Sequence, residues 1–143
     1  RDVWAVVLVL VVLGGPQMAR ITRGAGIEVR NADFVTAARS LGVSRVGSLV
    51  SHVLPNALAP IIVLATMELG VFIVAESTLS YLGIGMPGSV MSWGNDISAA
   101  QASIRTNPAV LLYPAAALSI TVLSFIMLGD ALRDALDPKS RQR

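Results

Sequence analysis

One long apolar stretch, from Asn56 to about Leu82, restricts the fold of this 143-residue chain more than any other feature. Its only charged residues are Glu68 and Glu76. As an α-helix it would extend about 40 Å, which is enough to cross a bilayer and its interfaces. A second stretch, from Pro108 to Leu128, carries no charge and is also long enough to span. The sequence therefore predicts an all-α, polytopic membrane protein.

Composition supports this class. Charged residues make up 14% of the chain and hydrophobic residues 54%, whereas soluble domains average about 25% charged residues. A third apolar run, Val3 to Leu13, is too short to span alone. We interpret it as the second half of a membrane helix that continues past Pro16 toward Arg20. The pattern allows the helix to run on through Met18, Ile21 and Ala25, although Gly24 and Gly26 disfavour that extension. No cleavage site for a signal peptide follows this run, so we expect the natural N-terminal part of the protein to be missing.

A polar-tolerant island, residues 31–56, separates the first two predicted spans. Asn31 is suited to cap a first helix, Gly42 to end it, and Ser44 to cap a second helix that Pro55 stops or kinks. Apolar residues recur at helical spacing in both halves. The predicted faces are Phe34, Ala37, Ala38 and Leu41 in the first helix, and Val46, Leu49, Val50 and Val53 in the second. The island is therefore predicted to be helix–Gly–helix.

The distribution of positive charge predicts the orientation. The first group of cations is Arg20, Arg23, Arg30, Arg39 and Arg45, and the second is Arg133, Lys139, Arg141 and Arg143. Two spans separate the groups, so both lie on one side, and the loop 83–107 between those spans holds only Arg105. By the positive-inside rule, residues 20–54 and the C-terminal tail are cytoplasmic and 83–107 is extracytoplasmic. This topology explains the net charge of +2 without nucleic acid as a partner.

Several kinds of chemistry are disfavoured. A P-loop requires Gly-Lys-Ser/Thr, but the sole lysine follows Pro138. The G-x-G-x-x-G pattern at 83–88 contains Pro87 and follows a predicted membrane helix, so we interpret it as a turn. His52 is the only histidine and there is no cysteine, and we expect Asp130, Asp134 and Asp137 to face solvent or pair with nearby cations. No metal or cofactor is predicted in this chain.

Glu68 and Glu76 are the two candidate residues of a transport pathway. They would lie about 20 Å and 30 Å along the helix from Pro55. Ionisable side chains at membrane depth are costly and usually face protein or a water-filled cavity. Either residue could therefore line a translocation pathway, or instead hydrogen-bond to a neighbouring helix or to interfacial water.

The island resembles the EAA motif of the membrane subunits of ABC importers, which reads Glu-Ala-Ala, three residues, Gly, nine residues, Ile, one residue, Leu-Pro. Ala37, Ala38, Gly42, Leu54 and Pro55 fall in register, whereas Thr36 replaces the Glu and His52 replaces the Ile. DFVTAARSLGVS, HVLPNALAP, AESTLSYLGIG, Trp93-Gly94 and LGDALRDALDP look closest to the dipeptide/oligopeptide/nickel branch. The resemblance covers nearly the whole chain, as the C-terminal part of such a permease.

This resemblance implies one type I ABC importer transmembrane domain over 1–143, with about three spans and cytoplasmic coupling helices. The residues it places in the ATPase-coupling element are Ala37, Ala38, Arg39, Leu41, Gly42, Ser44, Arg45, His52, Leu54 and Pro55. It also implies a second permease subunit, two ATPase subunits that bind the ATP, and an extracytoplasmic solute-binding protein, in the inner membrane. The alternative from the residues alone is a non-transporting scaffold or small channel whose island lies on the lipid surface.

Overall fold

The computed structural model describes residues 2–136, and the predicted tail residues from Asp137 onward lie outside them. The helices are α1 (Val3–Arg30), α2 (Asp33–Ser40), α3 (Arg45–Ser48), α4 (Leu54–Tyr81), α5 (Trp93–Ala100) and α6 (Ala109–Leu136). A π-helical turn, Leu49–Val53, joins α3 to α4, and a 3₁₀ turn, Gln101–Ser103, follows α5. Within residues 2–136, three helical segments are long and apolar enough to cross a membrane: Val3–Arg30, Arg45–Tyr81 and Ala109–Leu136.

The first membrane segment is longer than its sequence suggests. α1 runs for 28 residues, with Pro16 inside it, and continues through Gly24 and Gly26. The continuation through Met18, Ile21 and Ala25 that the sequence allowed is present, and the two glycines do not end it, because each costs only about 1 kcal/mol in a helix. The longer helix also displaces the predicted cap, because Asn31 ends α1 through its N–H bond to the Ile27 carbonyl and Ala32 takes the N-cap position of α2.

Pro55 does not end the second helix of the island. In the π turn the Leu54 N–H bonds to the Leu49 carbonyl, five residues back. Pro55 then occupies the first turn of α4, where a missing N–H and a fixed φ are well tolerated. Of the two alternatives predicted for Pro55, a stop or a kink, the stop is therefore wrong, and α3 passes through the π turn directly into the membrane helix α4.

α4 is the central helix, and it packs against α1, α5 and α6. Residues from the start of α1, such as Val6, share a groove with Leu79 near the end of α4. Ala59 near the start of α4 shares another groove with Leu136 at the end of α6. Each long helix therefore runs antiparallel to the one before it, α1 to α4 and α4 to α6. The island and the end of α6 lie at one end of the bundle, and residues 82–108 lie at the other.

Small residues form the closest helix contacts. Gly14 of α1 packs against the Phe72 ring, and Gly129 of α6 packs against the Met67 side chain. Gly70 of α4 lies beside the Phe125 side chain. Close backbone approach through small residues is typical of helix packing in membranes, where burial of apolar surface provides little drive between helices.

Candidate coupling and pathway sites

The turn between α2 and α3 is built around Gly42. Its φ is +88°, in the left-handed region that favours glycine. The Gly42 N–H donates to the Arg39 carbonyl at 3.0 Å and the Val43 N–H to the Ala38 carbonyl at 3.2 Å. This pair of bonds is a Schellman motif, which ends α2 and satisfies two of its last carbonyls. The structure therefore has a left-handed glycine where the sequence predicted one.

Ser44 begins the second helix as predicted. Its hydroxyl accepts a hydrogen bond from the Gly47 N–H at 3.0 Å, as an N-cap side chain does. Val35 and Ser48 are completely buried, and Val53 is nearly so. Because α2 packs against α3 and the π turn packs against α1, the helix–Gly–helix unit has a small buried core of its own.

The apolar stripes predicted in the island are largely turned away from its own core. Leu41 is 87% exposed, Val46 71% and Phe34 46%, and Ala37 is exposed as well. Ala38 and Val53 are the stripe members that pack inward. Most residues of the predicted coupling set are exposed at this end of the bundle. They are Ala37, Arg39, Leu41, Gly42, Ser44, Arg45, Leu54 and Pro55. An exposed apolar surface of this kind is typical of an interaction site.

The π turn holds a local feature that the sequence did not reveal. The Ser48 hydroxyl and the His52 Nδ1 are both buried and have no hydrogen-bond partner among residues 2–136. The His52 carbonyl instead accepts from the Asn56 side chain at 2.7 Å. The one sequence signal for an irregular turn here is Pro55, which lies three residues after His52. Both π turns and prolines interrupt the regular series of backbone hydrogen bonds in an α-helix.

Glu76 is the centre of a hydrogen-bonded cluster at the opposite end of the bundle. Its Oε1 accepts from the Ser80 hydroxyl at 2.6 Å and from the Ser92 hydroxyl at 2.8 Å. The Ser80 hydroxyl in turn accepts from the Met86 N–H at 2.9 Å. Ser80 is buried and Glu76 is half-buried. These hydrogen bonds tie residues 86–92 to α4.

The short helix α5 lies directly on α4 because Gly94 has no side chain. A Cβ at Gly94 would overlap the Ser77 carbonyl. The Asn95 amide donates to the carbonyls of Pro87 and Val90, each at 3.2 Å. The predicted loop 83–107 is therefore a folded element around α5.

The two candidate pathway residues have different surroundings. A groove of about 410 Å³ lies beside Glu76, and Trp93 and Asp96 also line it. Glu68 lies two turns nearer the island, half-buried, and its carboxylate has no hydrogen-bond or ion-pair partner within residues 2–136. Glu76 thus has a defined contact to α5, whereas Glu68 has an open carboxylate at membrane depth.

Comparison with known proteins identifies the family. A family model described as "Binding-protein-dependent transport system inner membrane component" matches residues 1–142. The chain belongs to this family. The glutathione transport system permease protein GsiD of Salmonella typhimurium is 40% identical over 134 residues, which cover 94% of this chain and 44% of the relative. GsiD of Escherichia coli O6:K15:H31 is 38% identical over the same lengths.

Membership confirms the class predicted from the sequence: an ABC importer permease component of the peptide-type branch, in a multi-pass membrane protein, and not an enzyme. The three apolar helices agree with it. The chain spans about 44% of the length of the curated relatives it matches.

A charge-only change at Glu76 tests its two interpretations. Glu76→Gln keeps an acceptor oxygen for Ser80 and Ser92, so we expect the assembled protein to remain intact. Removal of one of these hydroxyls, in Ser92→Ala, should cost about 1–3 kcal/mol of stability, because the Glu76 carboxyl group and the Gly94 N–H each lose a hydrogen-bond partner. If Glu76 serves the pathway, Glu76→Gln changes uptake kinetics while Ser92→Ala chiefly lowers the melting temperature. Unchanged uptake in Glu76→Gln would assign Glu76 to structure alone.

Proposed function

We propose that this chain forms part of the membrane-spanning permease of an ATP-driven importer and receives motion from a separate ATPase through residues 31–56. The observation that carries the proposal is the exposed apolar surface of α2, the Gly42 turn and α3. The helix α3 continues through the π turn into α4 without a break. Force applied to α3 would pass directly along a 37-residue helical segment, Arg45–Tyr81, to the Glu76 cluster.

The orientation follows from charge. The island and the end of α6 lie at the same end of the bundle, where Arg39, Arg45 and Arg133 are found. The positive-inside rule supports a cytoplasmic position for this end. A solute-binding protein would then deliver its cargo to the end formed by α5. A second permease subunit would complete the pathway, and two ATPase subunits would bind ATP below the coupling loop.

The solute we propose is a short peptide or a related small solute such as nickel. The GsiD relatives are named for glutathione, a tripeptide, and this supports a peptide more than a metal ion. In the groove beside Glu76, the Glu76 and Asp96 side chains are the charged residues among its described lining. A pathway with acidic residues suits a solute that carries a positively charged amino group.

Departures from the EAA pattern bear on the docking contact. The Thr36 hydroxyl donates back to the Ala32 carbonyl of its own helix at 3.5 Å. Because a threonine hydroxyl is neutral, Thr36 does not supply the negative charge that the family pattern has at this position. Docking would depend mainly on the apolar side chains around Leu41 and on Arg39 and Arg45 rather than on an acidic side chain.

Leu41→Asp tests the proposed docking surface. Leu41 makes few contacts within the chain, so we expect near-normal folding but a loss of the ATPase subunits from the purified complex. Leu82→Asp is the matched control, because Leu82 is also largely exposed, at 63%, and lies at the far end of α4. Retention of the ATPase in Leu41→Asp, measured by co-purification, would contradict the coupling role.

A further inference from the structure

A groove between α4 and α6 opens at the same end of the bundle as the coupling loop. It has a volume of about 360 Å³, and its walls include Ala59, Pro60, Val63, Met67 and Leu136. Arg133 is the only charged residue among the described residues that line it. The groove is thus apolar along its length and positively charged at one place.

The packing of the two helices explains why the groove forms. α4 and α6 approach closely where Gly129 meets the Met67 side chain and where Gly70 meets Phe125. Toward the start of α4, no glycine brings the backbones together, and the helices leave a gap. From Met67 to Ala59 the gap follows α4 for about 12 Å, which is long enough for a segment of an acyl chain.

The position and charge of Arg133 complement a lipid headgroup. Arg133 is exposed and makes no ion pair or hydrogen bond with another residue of the described part. It lies about 6 Å beyond Gly129 along the helix axis, just past the uncharged stretch that ends at Leu128. A cation at this depth lies at the level of phosphate groups, and basic pockets between membrane helices bind anionic headgroups.

We propose that this groove binds one anionic phospholipid, with an acyl chain along Pro60, Val63 and Met67 and the phosphate against Arg133. The apolar walls favour a lipid over free phosphate, which would leave them uncovered. This proposal goes beyond the proposed transport function and relies on it only for the choice of the cytoplasmic leaflet. A bound lipid here would fill the space between the two helices that lead from the coupling end toward the solute end.

Native mass spectrometry of the assembled complex, taken from bilayers of phosphatidylglycerol and phosphatidylcholine, tests the site. The wild-type complex should retain phosphatidylglycerol in preference. Arg133→Ala should reduce that retention about fivefold, since one basic residue near the surface contributes about 1 kcal/mol to binding of an anionic lipid. Arg133→Lys should keep the preference, and Arg105→Ala, at the opposite end of the bundle, should leave it unchanged.

Two further variants distinguish the groove from other causes. Ala59→Phe should fill the groove and lower retention of both lipids, whatever the headgroup. Leu136→Cys introduces the only cysteine of the chain. When this thiol is alkylated with a maleimide that carries a benzophenone, irradiation should cross-link it to phospholipid. Three results would each overturn the proposal. They are an equal loss of phosphatidylglycerol retention in Arg105→Ala, no lipid preference in the wild type, and cross-linking of Leu136→Cys to a protein segment instead of lipid.

Discussion

Gly42→Val is expected to uncouple ATP hydrolysis from uptake in the assembled transporter. The φ of +88° at Gly42 costs an ordinary L-residue about 1–2 kcal/mol, and a β-branched side chain is among the least tolerant. A penalty of 1–2 kcal/mol reduces the population of the correctly turned loop roughly 5- to 30-fold. The measurement is solute-stimulated ATP hydrolysis and uptake in proteoliposomes, compared on the same preparation.

The controls for Gly42 separate backbone strain from bulk. A Cβ at Gly42 meets nothing within 4 Å, so steric overlap is not the expected cause. Gly42→Asn should therefore retain most of the coupling, because asparagine tolerates the left-handed region better than other residues do. Gly24→Ala is a second control, since Gly24 lies inside α1 with open space around its Cβ position. Normal coupling in Gly42→Val would show that the turn is not needed to transmit motion.

Gly94→Ala is expected to be the most destabilising single-methyl change among residues 82–108. The new Cβ would overlap the backbone carbonyl of Ser77, and a backbone atom cannot rotate aside as a flexible side chain can. Overpacking of this kind typically costs 1–3 kcal/mol, roughly a 5- to 150-fold change in the folded population. α5 would also shift away from α4, which would weaken the Ser92 to Glu76 hydrogen bond of 2.8 Å.

Gly88→Ala is the matched control for this prediction. Gly88 lies in the same loop, and a Cβ there meets nothing within 4 Å. We expect Gly88→Ala to unfold at nearly the wild-type temperature and Gly94→Ala several degrees lower, as measured by thermal unfolding of the purified complex. Equal melting temperatures for the two variants would mean that α5 does not depend on close contact with α4.

Local rules were sufficient where the deciding contacts are close in sequence. Gly42 and Ser44 were predictable because a Schellman turn and a helix cap form between residues at most five apart. The same rules failed at Asn31, since α1 continued to Arg30 and used Asn31 as its own end. They failed at Pro55 as well, because a π turn before it allowed the helix to continue.

The roles of Glu76 and of the island surface needed the three-dimensional structure. Glu76 and Ser92 are sixteen residues apart, and their hydrogen bond exists only because α5 folds back onto α4. Periodicity correctly found apolar stripes in α2 and α3 but could not tell which neighbours they would meet. In the structure Leu41 and Val46 face outward and Val35 faces inward.

The sequence by itself determined that the chain is a membrane protein with a charged end and a helix–Gly–helix island, because apolar length, charge distribution and turn chemistry are properties of neighbouring residues. Only the tertiary structure decided that Glu76 holds residues 86–92 to α4 and that Arg133 lines an apolar groove. These features depend on the packing of distant helices through Gly94, Gly70 and Gly129, which no local pattern specifies.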